Sequence, residues 1–168
     1  SSSYKPRTIE NAKADITIAF AVDFNSYGEI LTKNSVYRNN KRYIAIDANI
    51  TDITIDRIQR LINRVERCPL NEIVINIAGN GITTLNGKLS QDECDEYVLT
   101  FLEGLVKKTT KTITLIRSGG QSGFDEAGIK AAIKLNIDAL THFPKGYRFR
   151  TVDGEIYNKA LFVERFEK

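Results

Sequence analysis

Arg117, Ser118, Gly119, Gly120, Gln121, Ser122 and Gly123 run directly into Phe124, Asp125 and Glu126. A β-branched apolar run precedes them at 112–116, and an alanine-rich helical stretch follows to 135. A glycine-rich turn between a strand and a helix presents backbone N–H groups at the positive end of a helix dipole. That is a binding site for an anion, most often phosphate. The turn is neither a GxGxxG fingerprint nor a Walker A loop, because no Gly-Lys-Ser/Thr follows. The alternative is a plain tight turn. Asp125 and Glu126 fall in the first helical turn, where they either complement the dipole, hold a ribose hydroxyl, or act as general acid or base. Asp23 is the third catalytic candidate. No Ser–His–Asp set can be assembled, and neither Cys68 nor Cys94 lies in a nucleophile motif.

The elements that must position this turn are legible from hydrophobic periodicity. Five continuous apolar runs suit buried parallel strands, at 15–22, 42–47, 72–77, 112–117 and 139–142. Helical patterns lie between them. Ser26 and Glu29 have capping-box spacing ahead of a helix to about 36, and Ser90 and Glu93 repeat that spacing. Ile55, Ile58, Leu61, Ile62 and Val65 keep a helical period. Cys94, Tyr97, Val98, Phe101, Leu102 and Leu105 form a core stripe. Ala127, Gly128, Ala131 and Ala132 give a small-faced helix that can approach a sheet closely. A terminal helix is expected over 157–166, and residues 1–11 are expected to be an extended or flexible arm. Strands alternating with helices predict a single α/β domain over 1–168. It would be a Rossmann-like three-layer sandwich with a mainly parallel sheet of five strands or more.

In such a sheet, ligands bind outside the carboxyl ends of the strands. Those ends carry Asp23, Phe24, Asn25 and Tyr27, then Asp47 and Asn49, then Gly79, Asn80 and Gly81, then the glycine turn, and last Pro144, Lys145, Tyr147 and Arg148. Together they make a pocket for an anionic, partly aromatic ligand. Asp23, Asn25 and Asn80 would read ribose or base edges, and Phe24, Tyr27 or Tyr147 would stack on a base. Lys145 and Arg148 would neutralise phosphate. Each loop has a plainer alternative: Asp23 or Asn25 as a helix cap, 79–81 as a turn, Lys145 as a solvated turn residue, and His142 as a satisfied strand-end histidine.

Composition narrows the classes. A net charge of +3 is too small to argue by itself for nucleic acid. A row of Arg57, Arg60, Arg64 and Arg67 nonetheless keeps nucleic-acid binding as a third reading, against a solvated helix face. Two lone cysteines and one histidine make no metal site, and the thiols read as reduced, buried residues of a cytosolic protein. No apolar stretch approaches a membrane span, so no membrane partner is expected. Ser1, Ser2 and Ser3, with no methionine in the chain, fit a trimmed or tagged amino terminus.

The segment SGGQSGFDEAGIKAA with the later PKGYRFR resembles the GGQTG-x-D and PKG pattern of proteins labelled molybdenum-cofactor carriers. Those belong to the SLOG superfamily of Rossmann-like domains, which also holds cytokinin-activating phosphoribohydrolases, DNA-processing protein A and nucleotide-signal sensors. FAVDFNSYGEILTK, NIAGNGITTL and RSGGQSGFDEAG are together similar to a bacteriophage-associated family. This resemblance covers the chain from about residue 12 onward. It implies that Gly119, Gly120, Gln121, Ser122 and Gly123 face phosphate, with Asp125, Lys145 and Gly146 matching the remaining motif positions. It also implies a homo-oligomer in the cytoplasm, of the host cell for a phage protein, that holds a dinucleotide, an ADP-ribose-like species or a cyclic nucleotide and sequesters an immune signal. No cofactor is expected. The phosphoribohydrolase signature, PGG-x-GT-x-x-E, is departed from here by one inserted residue. Hydrolysis of an N-glycosidic or phosphate bond is therefore the rival reading.

Overall fold

The structure, a computed structural model, describes residues 4–141, 148–151 and 154–167. Strand β1 (Ile16–Ala21) is buried at all six positions, as an apolar run with no alternation requires of a central strand. It pairs on one side with β2 (Arg42–Asp47) and on the other with β3 (Glu72–Gly79), both parallel. Strands β4 (Thr112–Ser118) and β5 (Ala139–Thr141) extend the sheet beyond β3. The order β2-β1-β3-β4-β5, all parallel and flanked by helices, is a Rossmann-like α/β sandwich. Because β2 and β3 leave β1 in opposite directions, the crevice between the carboxyl ends of β1 and β3 is the topological switch point.

The two faces of the sheet differ in chemistry. Ile16, Ile18, Phe20, Ile73, Ile75, Ile77 and Ile116 face one way and pack on α3 (Ile55–Glu66), α5 (Gln91–Lys108) and α6 (Phe124–Lys134) in the main core. Close approach is written into two glycines. A Cβ on Gly128 would lie 2.5 Å from Ile77, and one on Gly104 would lie 2.5 Å from Ile58. The opposite face carries Thr17, Ala19, Asn76 and Ala78 and lies under α1 (Tyr4–Asn11) and α2 (Tyr27–Arg38). Its apolar cluster is small: Ala12, Ala19, Val36 and Tyr43, with Phe24 against them. Asn76 donates to Thr17 Oγ1 across the strands at 3.3 Å. A sheet face this polar is where ligand chemistry can be built.

Two expectations are corrected at the chain ends. Residues Tyr4–Asn11 are not an extended or flexible arm but an α-helix packed on α2, with Asn11 and Ala12 buried. The terminal helix does not start at Tyr157. Strands β6 (Arg148–Thr151) and β7 (Gly154–Tyr157) form an antiparallel pair that consumes Tyr157, and α7 (Lys159–Glu164) begins after the Asn158 cap. A 3-10 turn, Arg165–Glu167, follows.

Candidate functional site

The loops after β1, β3 and β4 are tied to one another by residues that cannot be exchanged freely. Asn80, 3% exposed, accepts from the N–H groups of Val22 (2.8 Å) and Asp23 (3.0 Å) and donates to Asp23 O (2.9 Å). It is thus a strut across the switch point, not an edge reader waiting for ligand. Gly79 passes so close to β1 that a Cβ would lie 2.1 Å from Phe20 O. Gly81 bridges to Gly123: Ile82 N–H donates to Ser122 O, and Phe124 N–H donates to Asn80 O. The Gln91 side chain, which sequence reasoning passed over, clamps Gly123 by accepting its N–H (2.6 Å) and donating to its carbonyl (2.9 Å).

Within the glycine turn, Gly120 (φ +75°) and Gly123 (φ +104°) adopt backbone conformations that side chains disfavour. Some of the turn's donors are already used. Gly120 N–H reaches Ser118 Oγ at 3.4 Å, Gln121 N–H bonds the Asp125 carboxyl, and Gly123 N–H is held by Gln91. Among the described residues, no acceptor takes the N–H of Gly119 or Ser122. Ser118 is buried and donates its hydroxyl to Asp125 O (2.7 Å), which fixes the start of α6.

Several expected site residues are occupied elsewhere. Glu126 is 1% exposed and faces the interior, where Lys130 Nζ (2.9 Å) and Arg165 Nε (2.6 Å) hold its carboxylate. Lys130 also reaches Asp95 at 2.8 Å. This network docks the chain's end onto α6 and removes Glu126 from the catalytic candidates. Arg117 points to the α1 face, 3.7 Å from Glu10. Asp23 is exposed and accepts the N–H of Asn25 (2.8 Å), a local turn, with Asn25 also exposed. Tyr27 is 69% exposed and able to stack on a ligand. Arg148 opens β6, which packs against α4 (Ile82–Leu85) beside Gly81. Lys145, with His142, Gly146 and Tyr147, lies outside the described residues. The arginine row is not a plain solvated face either. Arg57 donates to the carbonyls of Asp47, Ile50 and Asp52 and to Tyr97 OH, and Arg64 donates to Tyr43 O. Cys94 is buried, which pushes its thiol up to about 12.

The chemistry concentrates on a pair that the sequence only half revealed. Ser26 accepts the Glu29 N–H as its spacing predicts, but the Glu29 carboxyl does not return to the cap. It turns inward and is 4% exposed, whereas Glu93 at the same spacing completes its capping box. Glu29 lines a small pocket with Thr8, Asn11, Thr32, Asn76 and Asp125, roofed by Gly79 and Gly119. Asp125 is half-buried as a residue, yet its carboxyl is enclosed, and a Cβ on Gly119 would lie 2.7 Å from Asp125 Oδ2. Burial pushes Asp125 up to about 7, opposed by the Arg7 charge and the N–H groups of Gln121 and Gly79. Burial, then the charges of Asp125 and Asp23, pushes Glu29 up to about 8. Two carboxyls that exchange protons near neutrality can donate to or accept from a bound hydroxyl.

A ligand-sized cavity of about 430 Å³ opens beside the first turns of α5, lined by Thr51, Ile53, Leu89 and Tyr97 with Asp92, Glu93 and Glu96. Three carboxylates on its wall oppose phosphate there but leave room for a base. Among the described residues no helix is long and apolar enough to cross a membrane. The sequence matches no protein-family model and no curated protein.

Proposed function

We propose that this protein binds a small phosphorylated nucleoside derivative at the carboxyl edge of β1, β3 and β4. The dinucleotide, ADP-ribose-like and cyclic-nucleotide classes all meet its chemistry. The observation that carries this reading is the glycine turn itself. It joins β4 to the amino end of α6 beside the switch point, with the N–H groups of Gly119 and Ser122 untaken by described acceptors. Phosphate sits on that turn with Arg148 as its proposed counter-charge, and the exposed Tyr27 ring stacks on the base. Holding the ligand intact, as a phage protein sequestering a host signal would, is the favoured role, and a homo-oligomer is expected.

One observation favours a second reading. The Glu29–Asp125 pair could protonate a leaving group, making the protein a hydrolase of an N-glycosidic or phosphate bond. Mass spectrometry of small molecules released on denaturing the purified protein, followed by calorimetry with the same compounds, separates the two. Stoichiometric recovery of intact nucleotide supports holding. Product in excess of protein supports hydrolysis, and failure of every phosphorylated nucleoside to bind rejects both.

A further inference from the structure

The pocket beneath the glycine turn has an unusual donor–acceptor balance. Three of its side-chain oxygens are buried with no hydrogen-bond partner: Asn11 Oδ1, Glu29 Oε2 and Asn76 Oδ1. Their residues are 3%, 4% and 2% exposed. Asn11 Oδ1 and Asn76 Oδ1 are acceptors, and Glu29 Oε2 is one in the ionised carboxylate. Asn76 directs its Nδ2 to Thr17, which leaves the amide oxygen as its contribution to the pocket. Asp125 and Thr32 add a carboxyl and a hydroxyl to the lining, beside the backbone of Gly79 and Gly119. Thr32 directs its own proton to Gly28 O (2.9 Å), so its oxygen too is left as an acceptor.

Buried acceptors of this number need a shared donor or a cation, since each orphaned polar atom destabilises the fold. Arg7 is the cation that acts on Asp125, and the charges that raise Glu29 are those of Asp125 and Asp23. Space discriminates further. The pocket has a volume of about 20 Å³, room for one water-sized body. Magnesium dehydrates reluctantly and keeps several waters, whereas calcium accepts a shell of carboxylate, amide and hydroxyl oxygens.

We infer that Asn11, Glu29, Thr32, Asn76 and Asp125 form a site for one dehydrated hard cation of the calcium or sodium kind, set directly under the glycine turn. The ion would neutralise the two carboxyls and pin α1, α2, β3 and α6 together. The site stands independently of the nucleotide reading, because it can be tested without any nucleotide.

The test is thermal unfolding of chelator-treated protein near neutral pH, with calcium, sodium or magnesium against choline chloride at matched ionic strength. A saturable rise of about 5 °C with calcium or with sodium is expected, and which of them acts identifies the ion. Magnesium should match choline, and Glu29→Gln should abolish the rise. A melting temperature that follows ionic strength alone overturns the site, as does a rise that survives Glu29→Gln. Should that variant not fold, terbium titration of the wild type decides, since Tyr43 lies close enough to feel the Glu29 charge. One equivalent of tyrosine-sensitised emission, displaced by calcium or sodium and lost in Tyr43→Phe, supports the site. Emission that neither calcium nor sodium displaces rejects it.

Discussion

Glu29 and Asp125 reach one pocket from the first turns of α2 and α6, helices on opposite faces of the sheet. Each is buried beyond what an ordinary carboxylate tolerates, and the Asp125 charge adds to burial in raising Glu29.

The pair makes stability fall with pH in chelator-treated protein. Glu29 binds its proton more tightly folded, at about 8, than unfolded, near 4.5. Across that window the folded chain keeps a proton that the unfolded chain has released, so stability declines as pH rises and levels off above the folded value. Asp125 acts in the same direction between 3.8 and about 7. Glu29→Gln preserves the neutral state. It should match wild type at pH 5 and exceed it by about 2 kcal/mol at pH 9 in urea unfolding. A less stable variant at pH 9 would contradict the assignment.

Asn80 should matter for shape before it matters for ligand. Asn80→Ala strands the N–H groups of Val22 and Asp23, costing about 2 kcal/mol. Hydrogen exchange at those two amides should accelerate ahead of the amides of β1. Unchanged protection would mean the strut is dispensable.

Glu126 gives the opposite contrast. Removing its carboxylate leaves Arg165 without that partner and Lys130 with Asp95 alone, so Glu126→Gln should lose about 3 kcal/mol. Proteolysis should then begin at the carboxyl end, with nucleotide affinity unaltered in the folded fraction. A loss of affinity without loss of stability would return Glu126 to the site.

Two glycines separate packing from binding. Gly128→Val drives a side chain into Ile77 and should destabilise by about 2–3 kcal/mol, read as a lower melting temperature. Gly120→Val strains a positive-φ position by about 1–2 kcal/mol, yet it should abolish phosphate-dependent binding while the circular dichroism spectrum stays native. Undiminished affinity there would remove the turn from the ligand site.

Much of the fold was legible locally. The β2 run at 42–47 emerges with the same bounds, and the glycine turn falls between β4 and α6 where its spacing demanded. Burial on both faces writes a central strand such as β1 as a continuous apolar run, and a cap is written within four residues, so both can be read from neighbours in sequence. Ser90 and Glu93 therefore completed the box that their spacing predicts.

Ser26 and Glu29 carry the same spacing and came out differently, because only the assembled sheet decides where a carboxyl can turn. Asn11, Asn76 and Gln91 have no motif; their roles exist only once α1, β3 and α5 meet the loop ends. Glu126 is adjacent to Asp125, yet one residue of helical rotation, about 100°, sends it to Lys130 instead of the pocket. The sequence by itself determined the parallel α/β frame and the glycine turn between β4 and α6, since both follow from periodicity and backbone chemistry. The tertiary structure decided which carboxylates share a pocket and which are locked in ion pairs, because burial and charge proximity are properties of segments brought together, not of their order in the chain.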